Sequence, residues 1–268
     1  MKTIEIKNRW TGAVLYATHV EDDDQHPIRT ALEKAVVTGV NLIAVNLAYA
    51  NLRDANLSGA RLIGANLAYA NLRGANLVNA NLASAYLVGA NLAYVNLRGA
   101  CPVDANLARA NLISANLSGA RLTGVNLFGA NLTSANLSAA DLSGARLTGA
   151  NLYSVDLTNA NLAYTNFGVD HVPFVPRLDA QILERIESGQ GKLYMYAWHT
   201  CETTHCRAGW AVTLAGEAGR TLEAKIGTAA AGALIYYRST GRIPDFYASD
   251  EDALADIIAC ARAQGAPV

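Results

Sequence analysis

The chain has 268 residues, 51% of them hydrophobic and 16% charged, with a formal net charge of −1. So apolar a composition excludes a disordered chain, and so balanced a charge gives no electrostatic case for binding nucleic acid or an anionic membrane. Only 7% of the residues are aromatic, and the apolar share is carried mostly by Ala and Leu, a bias that points to internal repetition.

The first ten residues, Met1–Trp10, alternate charged and apolar side chains, with no apolar stretch of the signal-peptide kind. The longest apolar run, Thr228–Tyr237, is about half of what spans a bilayer. A cytoplasmic protein with no membrane partner is expected, its four cysteines (Cys101, Cys201, Cys206, Cys260) mostly kept as thiols. Residues 1–39 read as an N-terminal cap. Thr3–Ile6 and Val14–Tyr16 form the strands of a hairpin turning around Asn8–Gly12. The acidic run Glu21–Asp24 reads as a solvated loop. Pro27–Val37 reads as a short helix, with Pro near its start and Gly39 just past its end.

Residues 40–169 are a five-residue repeat. From position 42 to 167 every fifth residue is Leu, except Pro102 and Phe167. Two residues earlier stands Ala or Val, once Thr165, and the residue between is Asn in 19 of the 26 units. A period of five fits neither a helix face nor a flat strand, so the chain must turn once per unit to keep Leu and Ala inward. Four turns close a square of twenty residues, and stacking such squares at about 4.8 Å gives a rod of roughly 30 Å from about 6.5 coils.

The Ala-Asn-Leu-x-x unit resembles the pentapeptide repeat proteins, whose pattern is small residue, Asp/Asn, Leu/Phe and two variable residues. The resemblance implies a right-handed quadrilateral β-helix, so the expected class is a mainly β solenoid with an N-terminal β-hairpin and helix cap and a C-terminal α-helical domain. In that arrangement Arg61, Asn81, Cys101, Arg121 and Asp141 share a column, making Arg121 and Asp141 neighbours. Tyr49 stacks on Tyr69 and Arg53 beside Arg73. These four form the candidate interaction surface, read either as an anion site built from two like charges or as solvated arginines splayed apart. Pro102, beside Cys101, removes one ladder donor and predicts a local bulge.

Residues 170–268 read as an α-helical domain. After the linker His171–Pro176, Asp179 is expected to cap a helix carrying Ile182, Leu183 and Ile186, with further helices near Arg207–Ala218, Thr221–Arg238 and Asp250–Ala263. The last follows Ser249-Asp-Glu-Asp252, a capping signal. The densest constellation is Trp198–Trp210, which holds His199, Cys201, His205 and Cys206. Three readings stand side by side. One is a structural turn with buried or paired cysteines and a Thr203 or Thr204 cap; another is a zinc site with poor spacing; the third is a cysteine nucleophile opening a helix. Its Cys-x-Thr-x-x-Cys-x-Ala-Gly-Trp pattern resembles a small helical module of uncharacterised bacteriophage and prophage proteins.

No phosphate loop, nucleophile elbow or carboxylate pair is present, so a non-enzymatic chain without a cofactor is expected. It would be a rigid scaffold binding a protein partner through the repeat or the helical domain, which also offers a route to a homodimer. The pentapeptide resemblance implies an alternative, modulation of DNA gyrase by imitation of duplex DNA. The repeat carries seven Arg against four Asp, a net +3, and lacks inserted loops, and both features weigh against such imitation. A zinc-binding or catalytic C-terminal module is the second alternative.

Overall fold

The computed structural model describes residues 1–169, 171–195 and 204–265, which fall into two compact units. Unit 1 comprises residues 1–151 with 160–168, and unit 2 comprises residues 152–159 with the described part of 169–268.

Unit 1 opens with β1 (Lys2–Lys7) and β2 (Val14–Val20), paired antiparallel with a register irregularity at Ile6/Lys7. Helix α1 (Pro27–Val37) follows. Pro27 sits in its first turn, where a missing N–H costs nothing, and Gly39 just beyond its end takes φ +71°. Its buried Ala31, Leu32 and Ala35 face inward with Ile6 and Val20. Helix α1 also covers the start of the repeat, where the Glu33 carboxylate accepts the Asn56 amide at 2.8 Å and Arg29 donates to the Arg53 carbonyl. These bonds satisfy backbone groups that would otherwise form an open edge.

Within the repeat, residues twenty apart pair in parallel, as Asn51 with Asn71 and Arg121 with Asp141. The unit Ala70–Gly74 accounts for every amide. Ala70 closes a turn onto Leu67 O, Asn71 donates to Ala50 O, Leu72 to Asn91 O and Gly74 to Ala93 O, while Arg73 donates to the Asn71 side chain. The second variable residue adopts positive φ in every unit from Ala44 to Tyr164, the signature of a type II turn. The Leu and Ala positions are buried nearly throughout.

The expectation of a mainly β chain, a right-handed quadrilateral β-helix solenoid of about 6.5 coils, is corrected. The described residues hold six α-helices against four short strands, arranged as two two-stranded sheets that do not close. The repeat itself contributes only isolated bridges. The physical reason is the turn in each unit: a left-handed residue every five positions ends the extended backbone before a second ladder pair forms beside the first. The bulge expected at Pro102 is also absent. Cys101 still pairs with Asn81, the turn closes from Ala105 to Pro102 O at 3.0 Å, and Asn106 keeps its twenty-residue pairing with Asn126. The substitution removes one donor and leaves the register intact.

Unit 2 contains α2 (Leu178–Glu187), β3 (Lys192–Leu193), β4 (Thr204–His205), α3 (Arg207–Leu214), α4 (Gly216–Ile226), α5 (Thr228–Thr240) and α6 (Asp250–Ala263). Strands β3 and β4 pair in parallel. The two long helices expected over 207–238 are three, because Gly216 and Gly227 take φ +64° and +83° and break them. Helix α3 lies against α5 so closely that a Cβ on Gly232 would sit 2.5 Å from Ala208 Cβ. Ser249 caps α6 by accepting the Asp252 amide at 3.1 Å. Among the described residues no helix is long and apolar enough to cross a membrane.

Candidate functional site

Two places in the chain gather chemistry-bearing side chains. The first is a belt on unit 1 built by the turns. Tyr49, Tyr69 and Tyr94 occupy left-handed turn positions at φ 60°, 57° and 60°, which costs a non-glycine residue about 1–2 kcal/mol. The turn directs each ring outward. Tyr49 and Tyr69 stack with centroids 5.3 Å apart and planes at 11°. Tyr49 is 75% exposed and Tyr69 55%. Tyr69 lies over Gly89, where a Cβ would stand 2.5 Å from its ring, so this pair requires glycine beneath it.

Arg53 and Arg73 stand in adjacent courses but do not act on one another. Arg53 Nε pairs with Asp54 at 3.2 Å, and the Arg73 guanidinium lies 4.8 Å from the centre of the Tyr94 ring. A third arginine joins them from the hairpin side. Arg9 is held between Trp10 and Tyr86, 4.4 Å from each ring centre, and donates to Gly64 O at 3.1 Å. The repeat offset could have placed Tyr94, whereas the seat of Arg9 between Trp10 and Tyr86 escapes a reading of the sequence, because the hairpin's path over Tyr86 is set only by folding.

Between these side chains run columns of asparagine. Asn71 donates to Asn51, Asn91 to Asn71 and Asn111 to Asn91 at 3.3–3.4 Å. Each also accepts the amide two residues on, as Asn91 does from Ala93 at 3.2 Å. That double duty explains the prevalence of Asn: Leu or Tyr has no side-chain carbonyl to offer. Asp serves partly, as at Asp141, whose carboxylate accepts from Ser143, Thr123 and Asn161. Partial burial raises its pKa, but these hydrogen bonds outweigh that and hold it below the ordinary carboxylate value.

The second gathering lies inside unit 2. Arg207, the first residue of α3, is fully buried and binds Asp179 of α2 at 2.5 Å, Asp256 of α6, and the Tyr236 hydroxyl of α5 at 2.9 Å. Tyr236 donates onward to Asp179 at 3.1 Å, and Gln264 reaches the same carboxylate at 3.1 Å. Arg242 completes the set with Asp256 at 2.9 Å and Cys260 Sγ at 2.7 Å. Burial pushes the Tyr236 hydroxyl pKa far up and would lower that of Arg207, but the charge and hydrogen bonds around Arg207 outweigh burial and raise it. Two arginines face two aspartates, so the cluster is charge-balanced and its donors are engaged. It joins four helices.

Asp179 is therefore not the helix cap expected of it. Arg177 holds that position, and Asp179 is the second residue of α2, drawn inward by Arg207. Nor do the threonines cap α3: Cys206 does so, its Sγ accepting the Gly209 amide at 3.4 Å. Cys206 is buried and outside any disulfide, and burial raises its thiol pKa, the opposite of what a nucleophile needs. Trp198, His199, Cys201 and Thr203 lie outside the described residues, as do the side chains of Thr204 and His205. Among the described residues no cluster of three or more His, Cys, Asp or Glu is placed to hold a metal. Unit 2 also has a cleft of about 560 Å³ whose polar lining residues, His171, Glu217, Thr221 and Lys225, are all exposed.

With the repeat geometry in place, the family match decides its affiliation. The family model described as pentapeptide repeats matches in eight copies, covering residues 38–68, 65–101, 90–127, 105–144 and 130–168. Residues 38–168 are therefore a run of pentapeptide repeats. The match ends at residue 168, and nothing in it extends to the phage-like module suggested for the helical segment.

This pentapeptide-repeat chain is similar to three solved structures in particular. One is a pentapeptide repeat protein of the Arabidopsis thaliana thylakoid lumen, at 27% identity over 44% of this chain and 74% of that one, with a TM-score of 0.33. Another is Rfr23 from the cyanobacterium Cyanothece 51142, at 38% identity over 38% of this chain and 58% of that one, with a TM-score of 0.18. The third is QnrB1, a plasmid-mediated fluoroquinolone resistance protein, at 19% identity over 43% and 72%, with a TM-score of 0.28. No curated protein matches the chain.

Proposed function

We propose that this pentapeptide-repeat chain is a non-enzymatic, cytoplasmic protein-binding protein whose recognition surface is the Tyr49–Tyr69 face of unit 1. The observation that carries this reading is the stacked, exposed tyrosine pair at turn positions where glycine would cost nothing. Exposed aromatics beside arginine have the composition of interaction hot spots. The buried ionic cluster of unit 2 supports a structural role for that unit, and dimerisation through its helices is a further part of the proposal.

A topoisomerase is the partner to try first, since a fluoroquinolone resistance protein is among the similar repeat proteins. The net +3 of the repeat speaks against imitation of duplex DNA, so such contact would run through the tyrosine face. The experiment is affinity capture on the full chain and on a Tyr49→Ser/Tyr69→Ser variant, alongside a gyrase supercoiling assay with and without a fluoroquinolone. A partner held by the wild type and lost by the variant supports the reading, and equal capture by both overturns it. A change in supercoiling that the variant lacks would identify gyrase. A zinc role for His199, Cys201, His205 and Cys206 is tested separately by metal analysis of the purified chain.

A further inference from the structure

The tyrosine face is one part of a wider belt with a definite electrical character. Three arginines project from it, and among the described residues no carboxylate lies within 4.0 Å of Arg9 or Arg73. Both are nonetheless held in place, Arg9 between two rings and Arg73 on one. A cation ordered by stacking in advance removes an entropic cost of binding; Arg73 has no carboxylate partner, and Arg9 spends one N–H on Gly64 O and keeps the rest of its fork. The later units place Ser, Ala or Gly at most of the corresponding turn positions, so the stacked tyrosines belong to the first courses.

Resting on the protein-binding reading above, we infer that the belt takes an acidic protein segment. Its carboxylates meet the Arg73 guanidinium and the N–H groups of Arg9 not bonded to Gly64 O, and its apolar side chains lie on the exposed Tyr49 ring. The arrangement favours protein over single-stranded nucleic acid. A phosphate backbone needs a continuous track of cations with open rings between them. Here Arg53 is already neutralised by Asp54, and the faces of Tyr86 and Tyr94 are covered by arginine. What remains is two separated cations and one stacked, exposed aromatic pair.

The probe is a fluorescein-labelled Glu/Tyr random copolymer, with oligo(dT) and a Lys/Tyr copolymer as comparisons, titrated onto the full chain by fluorescence anisotropy. The expected result is saturable binding of the Glu/Tyr copolymer. It should weaken at least tenfold in Arg9→Gln/Arg73→Gln and stay unchanged in Arg146→Gln, with far-UV circular dichroism preserved in all three. Arg73→Glu should gain affinity for the Lys/Tyr copolymer. Equal binding by wild type and the double variant overturns the inference, as does tighter binding of oligo(dT). So does self-association that the Glu/Tyr copolymer fails to displace, which would make a second copy the occupant. If captured partners depend on Tyr49 and Tyr69 but not on Arg9 and Arg73, the acidic partner is excluded while the protein-binding reading stands.

Discussion

Asp179 and Arg207 meet at 2.5 Å with both side chains essentially excluded from solvent, 1% exposed for Arg207 and 0% for Asp179. Each is the other's principal compensation for burial, so loss of either leaves a stranded charge. Asp179→Ala is expected to destabilise unit 2 by about 3–5 kcal/mol. Urea denaturation followed by the fluorescence of buried Trp210 measures it. Asp179→Leu combined with Arg207→Met should recover much of the loss, because the pair is then replaced by packing. A single variant within 1 kcal/mol of wild type, on the order of ordinary surface changes, would show that the pair is not a structural staple.

The asparagine columns give a second expectation. Asn91→Leu removes the acceptor of the buried Ala93 amide and both links to Asn71 and Asn111. An orphaned buried donor costs about 1–3 kcal/mol, and thermal denaturation by circular dichroism should show a loss of that order. Asn91→Asp should lose less, because it keeps the acceptor for Ala93 as Asp141 does for Ser143. Equal losses in the two variants would show that the amide bond to Ala93 is not what Asn contributes.

The depressed pKa of Asp141 makes stability depend on pH in a fixed direction. Its ordinary value is 3.8, and its folded value lies lower because the carboxylate accepts hydrogen bonds. The stabilisation is therefore fully present above the ordinary value and is lost as pH falls through the folded one. Asp141→Asn should flatten the acid limb of the stability profile, read from denaturation midpoints between pH 5 and about pH 2. An unchanged limb would assign the acid sensitivity to other carboxylates, Asp256 among them.

Cys206 should be the least reactive of the described thiols. It is buried, its pKa is raised and its Sγ is engaged by Gly209, whereas Cys101 is part-exposed. Peptide mapping after a short iodoacetamide pulse should find Cys101 alkylated at least tenfold more than Cys206, since the thiolate is the reacting species. Preferential labelling of Cys206 would reopen its reading as a nucleophile.

Some of this was legible in the residues themselves. The Ala-x-Leu spacing marks the inward side chains of the repeat, because two residues in one short extended stretch share a face. The offset of twenty places Tyr49 on Tyr69 and Arg121 beside Asp141. Ser249 and Pro27 marked helix starts by local chemistry alone. The mainly β class did not follow from the period, since a turn in every unit leaves only isolated bridges. Asp179 looked like a cap because Asp before a helical pattern often is one, and nothing nearby in sequence warned of Arg207.

What the sequence by itself determined is the local pattern: where the chain turns, which side chains it buries in the repeat, and that Asn recurs between them. These depend on neighbours within a few positions, or on a strict period that multiplies a short-range rule. Only the tertiary structure decided the partners of Arg207, which lie 28, 29 and 49 residues away, and the seat of Arg9 between Trp10 and Tyr86. Burial makes such long-range pairings strong, because a charge removed from water must find its complement wherever the fold places it.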